Sequence, residues 1–193
     1  FDALYRLQAV TNPRIKAEVG NLALLPREEI PFGIKGCSYA TGPFTHVNPD
    51  GSRFSDGSFG VLYIADTSET ALKEVAYHQQ RYWSSVHGLH FDRFVFRDLK
   101  VCFAENSGRD ATALDSQHPI YQPDSYVASQ AFGTAIKKAR IPTLKYHSVR
   151  NPGAHCWALF TPSPVKEIIQ TRHYEMIWSD QRISSVSRLE TLL

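Results

Sequence analysis

The clearest alternation of apolar and polar positions lies between Gly51 and His78, where a loop, a strand and a helix follow one another. Gly51, Gly57 and Gly60 among Ser and Asp make the opening of this stretch a loop. Val61-Leu62-Tyr63-Ile64-Ala65 is a short run of β-formers and predicts a strand buried on both faces. Asp66, Thr67 and Ser68 then offer oxygens to the free N–H groups that open a helix. Ala71, Leu72, Val75 and Ala76 give that helix one apolar stripe and leave Glu74 well off its centre.

Leu4 to Val10 reads as an opening strand carrying Tyr5 and Arg6, ended by Asn12-Pro13. Residues 16–50, with Pro26, Pro31, Pro43 and Pro49, show no sustained period and read as an irregular, extended cover with one short helix around Arg14 to Gly20. His90 to Phe96 alternates as a strand, Val101 to Phe103 reads as another, and Asn106 to Pro119 is polar and loop-like. Ser125 to Arg140 predicts a helix with Val127, Ala131, Phe132, Ala135, Ile136 and Ala139 at helical spacing. Its basic end suits the negative pole, and Pro142 stops it. Thr143 to Val149 alternates, with Leu144, Tyr146 and Ser148 on one face. A turn at Asn151-Pro152-Gly153 leads to a buried strand from Cys156 to Phe160, and Val165 to Trp178 reads as two more strands. The fold class is α+β with more strand than helix.

Composition narrows the picture. A chain of 193 residues with net charge +2 and 42% hydrophobic content fits one globular domain over residues 1–193. Cys37, Cys102 and Cys156 are scattered, odd in number and without CxxC spacing, which favours reduced thiols in the cytoplasm over a disulfide scaffold or a zinc site. No apolar run reaches membrane-spanning length and no signal peptide is visible in a sequence that begins at Phe1. Near-balanced charge removes the main argument for direct nucleic-acid binding.

The motifs exclude as much as they suggest. Neither GxGxxG nor GxxxxGK[ST] is present, so a Rossmann site and a P-loop lack support. His87 and His90 are three apart but lack further ligands at metal-site spacing, and Cys156 sits in an apolar run as a core thiol. Three segments remain: Tyr5-Arg6, Tyr63 with Glu74, and the turn from Tyr146 to Gly153 that carries Ser148 and Arg150. Each alone also fits a plain structural role. Together they suit one chemistry. Guanidinium groups grip a diphosphate, an aromatic ring stacks on a flat heterocycle, and a carboxylate stabilises positive charge on a ribose as its glycosidic bond breaks.

Three segments also carry a family resemblance: LYRL, GSRFSDGSFGVLYIADTSETALKEVAYH and SQAFGTAIKKARIPTLKYHSVRNPGAHCWALF. Between Leu4 and about Pro164 the chain resembles RES-domain proteins, the toxins of Res–Xre toxin–antitoxin pairs. The resemblance implies an ADP-ribosyltransferase-like mixed β core flanked by helices, in a cytoplasmic enzyme. NAD⁺ would be its substrate, with no resident cofactor and no metal. Position by position it implies Arg6, Tyr63, Glu74 and Ser148 as the family's functional residues. Ser125 or Ser129 stand as alternatives or additions to Ser148. Arg53 lies where relatives write GRW, and here Phe54 follows it. Arg6 and Arg53 would hold the diphosphate, Tyr63 would pack on the nicotinamide or its ribose, and Glu74 would stabilise the oxocarbenium-like state. Ser148, with Ser129, would hydrogen-bond the nucleotide. Cleavage of NAD⁺ by water or phosphate is the expected reaction. The alternatives are transfer of ADP-ribose to a cellular protein and a non-catalytic nucleotide- or partner-binding module. An Xre-like antitoxin is the implied partner.

Overall fold

Leu62 to Ala65 pair with Leu159 to Cys156, so the strand nearest Glu74 in sequence is fixed to one from the far end of the chain. The computed structural model describes residues 20–190. The expected opening strand with Tyr5 and Arg6, and all but the last residue of the expected helix around Arg14 to Gly20, lie outside the described residues.

The first sheet contains β1 (Leu62–Ala65), β3 (Arg109–Asp110), β4 (Thr143–His147) and β5 (His155–Leu159), in the order β1-β5-β4-β3. β5 is antiparallel to both neighbours, while β3 runs parallel to β4. The second sheet is antiparallel throughout and orders β2 (Phe91–Phe103), β6 (Val165–Ser179) and β7 (Arg182–Leu189) as β2-β6-β7. Helices α1 (Cys37–Thr45), α2 (Ser68–Ser84) and α3 (Val127–Lys138) complete an α+β fold.

Thr67 caps α2 as expected, its hydroxyl accepting from the Thr70 amide at 3.1 Å. Leu72, Val75 and Ala76 then pack with Phe94 and Phe96 against buried Trp83, Met176 and Trp178. Trp83 stacks on Phe94 with centroids 4.0 Å apart, a contact that adds about 0.5–1.5 kcal/mol beyond the area it buries. The first sheet has its own core of Phe54, Leu144, Tyr146, Cys156, Ala158 and Phe160. α2 thus turns its apolar stripe to the second sheet, which leaves its polar stripe free for the loops around the first.

Several expectations fail for identifiable reasons. β1 is an edge strand rather than one buried on both faces, and Tyr63 stays 37% exposed. Residues 16–50 are not irregular throughout: α1 buries Ala40 and Phe44, and its period is obscured by Thr41 and Thr45, whose hydroxyls bond back to helix carbonyls. The two strands expected between His90 and Phe103 are one, continuous across a bulge at Asp98/Leu99. The two expected between Val165 and Trp178 are also one, and β7 follows a two-residue turn. Asp180 and Gln181 both take positive φ there (52° and 61°), the geometry of a tight hairpin without the usual glycine.

The apolar stripe expected on α3 is only partly buried. Val127 is 76% exposed, and the inward face is Ser129, Gly133 and Ile136. Gly133 explains the preference for small residues, because a Cβ there would stand 2.0 Å from the Phe54 carbonyl oxygen. That close approach presses α3 onto the loop that carries Arg53.

Candidate functional site

Helical spacing places Thr70, Glu74, Tyr77 and Arg81 on one stripe of α2, opposite the stripe that packs on the second sheet. Glu74 lies two turns in, and its Oε1 accepts a hydrogen bond from Ser148 Oγ at 2.6 Å. Ser148 follows β4, is 5% exposed, and accepts from the amides of Arg150 (3.3 Å) and Asn151 (3.0 Å). With two N–H donors on its lone pairs, the hydroxyl proton has one direction left, toward the carboxylate.

Tyr63 approaches from β1. Its hydroxyl pairs with Ser52 Oγ at 2.8 Å and accepts from the Phe54 amide at 2.9 Å. The hydroxyl end is buried while the ring remains accessible, and burial pushes the phenol up to about 12. The loop that receives this hydroxyl also carries Arg53. Gly51 begins it at φ 78°, where a Cβ would meet the Ser55 carbonyl oxygen at 2.5 Å.

Arg53 is 5% exposed, and among the described residues no carboxylate pairs with it. Its Nη1 donates to the carbonyls of Ile120 (3.2 Å) and Gln122 (3.1 Å), and its guanidinium carbon lies 4.6 Å from the centre of the Tyr126 ring. Among the described residues Nη2 has no partner, nor has the buried Tyr126 hydroxyl. Arg150 mirrors this arrangement: it stacks on Tyr77 at 3.3 Å, donates to the Pro123 carbonyl and leaves Nε without a partner among the described residues. His78, one turn beyond Glu74, is held below its usual value. Desolvation is the main cause; Glu74 pulls the other way, and the charges of Arg53, Arg150 and Arg81 each add to the lowering. A carboxylate, two arginines with unused donors and two tyrosines, Tyr77 and Tyr126, thus surround one histidine.

The RES domain family model matches residues 30–179. The chain belongs to the RES-domain family. RES domains are associated in general with NAD⁺ and with Xre-type antitoxins. An uncharacterized protein of Sinorhizobium fredii, y4oC, is 28% identical over 185 residues, which cover 95% of this chain and 75% of that relative.

In this RES domain Glu74 and Ser148 meet directly, and Tyr63, from β1, bonds the loop that carries Arg53. Arg6 lies outside the described residues. Ser129 is fully buried and donates to the Tyr126 carbonyl at 3.1 Å, while exposed Ser125 precedes α3, so Ser148 is the serine that bonds Glu74. Cys156 lies in the core as expected, its thiol pushed up to about 12 by burial. Tyr126, His78 and the anchoring role of Arg150 were not read from sequence. The stripe Thr70-Glu74-Tyr77-Arg81 was the available signal, since polar residues at helical spacing on an otherwise packed helix mark a second working face.

Proposed function

We propose that this RES domain breaks the bond between nicotinamide and ribose in NAD⁺ and acts as the toxin of a toxin–antitoxin pair. The reading is supported above all by the Ser148–Glu74 hydrogen bond and by buried Arg53, whose Nη2 has no partner among the described residues, Glu74 and Arg53 both lying within electrostatic reach of His78. A buried guanidinium met by carbonyls and a tyrosine ring but by no anion has unspent charge, and a diphosphate is an anion that uses both its charge and its planar donors.

Arg53, with Arg6, grips the diphosphate. The accessible ring of Tyr63 packs against the nicotinamide end. The C1′–N1 bond breaks with its electron pair going to nitrogen, so nicotinamide leaves neutral and positive charge appears on the ribose. Glu74 stabilises that charge, with Ser148 fixing the carboxylate and leaving Oε2 for a ribose hydroxyl. An acceptor oxygen then adds to C1′ and loses its proton to Glu74 or solvent. NAD⁺ is consumed as a substrate, so no bound cofactor is required.

The acceptor is water or phosphate in the reading favoured here. Incubation of the protein with labelled NAD⁺, with and without phosphate and cell lysate, distinguishes the products by mass spectrometry. ADP-ribose marks hydrolysis, its 1″-phosphate marks phosphorolysis, and labelled protein marks transfer. Tight binding of NAD⁺ with no nicotinamide released would reduce the protein to a binding module. Expression alone should stop growth and drain cytoplasmic NAD⁺, and an Xre-like antitoxin should restore both.

A further inference from the structure

We infer that Asn151 is a positioning residue that holds the Ser148–Glu74 pair together; its role in turnover rests on the NAD⁺ reading above. The turn from Ser148 to Ala154 is closed by its own backbone: Ser148 N–H donates to the Ala154 carbonyl at 2.9 Å and Ala154 N–H to the Asn151 carbonyl at 3.0 Å. Nothing in those bonds fixes the turn against α2. The Asn151 side chain does so twice. Its Nδ2 donates to Thr70 Oγ1 at 2.8 Å, and its Oδ1 accepts from Lys73 Nζ at 2.9 Å.

Both partners lie on α2 within one turn of Glu74. Thr70 is fully buried, and its hydroxyl is braced at 2.9 Å by Thr67, the residue that caps the helix. Lys73 is braced in turn by Glu69 at 2.7 Å. One amide therefore reads two points on the helix start, using a donor and an acceptor at once. The same residue's backbone N–H bonds Ser148 Oγ, so the anchor and the serine are rigidly linked. An alanine would keep every backbone bond of the turn and the stacking of Arg150 on Tyr77, and lose both hydrogen bonds that hold the turn to the start of α2. An aspartate would keep the acceptor for Lys73 and accept a hydrogen bond from the Thr70 hydroxyl, preserving the docking with reversed polarity.

Three forms of the full chain test this: the parent, Asn151→Ala and Asn151→Asp. Asn151→Ala should lower kcat for nicotinamide release by roughly 10- to 100-fold, the cost of a misplacement near 1 Å, with KM for NAD⁺ little changed because the diphosphate grip is untouched. Asn151→Asp should recover most of the loss. A crystal structure of Asn151→Ala supplies a readout independent of activity, and should show Ser148 Oγ out of hydrogen-bond reach of Glu74. An unchanged Ser148–Glu74 contact in that crystal overturns the inference whatever the activity. An equal rise in KM, or no rescue by aspartate, overturns it in solution. A parent that releases no nicotinamide defeats the NAD⁺ reading alone, since the crystal comparison still decides what Asn151 does.

Discussion

Ser148 Oγ donates to Glu74 Oε1 across 2.6 Å although the two residues stand 74 positions apart. Glu74 reaches this point from a helix packed on the second sheet, and Ser148 from a strand of the first, so the bond joins the two halves of the fold. If Glu74 stabilises charge on the ribose, Glu74→Ala should lower nicotinamide release by roughly 100- to 1,000-fold, the scale seen when a preorganised electrostatic partner is removed. Ser148→Ala should cost less, since it loosens the carboxylate without removing it. Initial rates, read beside urea midpoints that confirm folding, decide both. Full activity in Glu74→Ala would remove that residue from the chemistry.

Arg53 gives a second prediction, because its hydrogen bonds serve both fold and ligand. Loss of its bonds to the Ile120 and Gln122 carbonyls should destabilise Arg53→Met by about 1–3 kcal/mol in urea unfolding. Arg53→Lys retains charge but cannot serve two carbonyls and a phosphate with one planar fork. Pyrophosphate at ~100 times its Kd should stabilise the parent by about 2.7 kcal/mol and give Arg53→Lys much less. Equal stabilisation of the two proteins would place the anion elsewhere.

The cap at Thr67, the apolar stripe of α2 and the α+β character were legible because each is written in local spacing. Tyr63 and Glu74 were legible as candidates because they sit eleven residues apart on two clearly patterned elements. What escaped depends on distant partners. α3 buries Ser129 and Gly133 because the Phe54 backbone comes against it, and no apolar period announces such a contact. β7 escaped because Asp180 and Gln181 form its turn without glycine, and Ser184, Ser185 and Ser187 interrupt its apolar pattern. Tyr126 and Arg150 gain their setting from the segment between Pro119 and Tyr126, which Arg53 and Arg150 fasten by its carbonyls, and Arg150 also from Tyr77 on α2.

The contact between α3 and the arginine loop can be tested separately from the chemistry. Gly133→Ala puts a methyl group 2.0 Å from the Phe54 carbonyl oxygen, where the obstacle is backbone and cannot swing aside. Overpacking of this kind costs about 1–3 kcal/mol, so the urea midpoint should fall. The displaced loop carries both Arg53 and the acceptor of the Tyr63 hydroxyl, so pyrophosphate binding should weaken as well. Loss of stability with unchanged pyrophosphate affinity would show that the loop holds its shape without α3.

His78 connects the site's charges to the pH dependence of folding. Its imidazole is held below the usual value first by desolvation against Tyr126 and Tyr77; Glu74 pulls the other way, and the positive charges of Arg53, Arg150 and Arg81 each add to the lowering. An unfolded histidine titrates near pH ~6.5, so between that value and the lower folded one the unfolded chain binds more protons. Stability contributed by the neutral ring is therefore present above pH ~6.5 and is lost as pH falls toward the folded value. The urea midpoint of the parent should drop more steeply from pH ~7 to ~5 than that of His78→Gln, the difference isolating this group from the other histidines. Bound pyrophosphate should shrink that difference, because an anion on Arg53 offsets the charge that opposes protonation. Parallel curves for the two proteins would mean that the folded site does not hold the ring below its usual value.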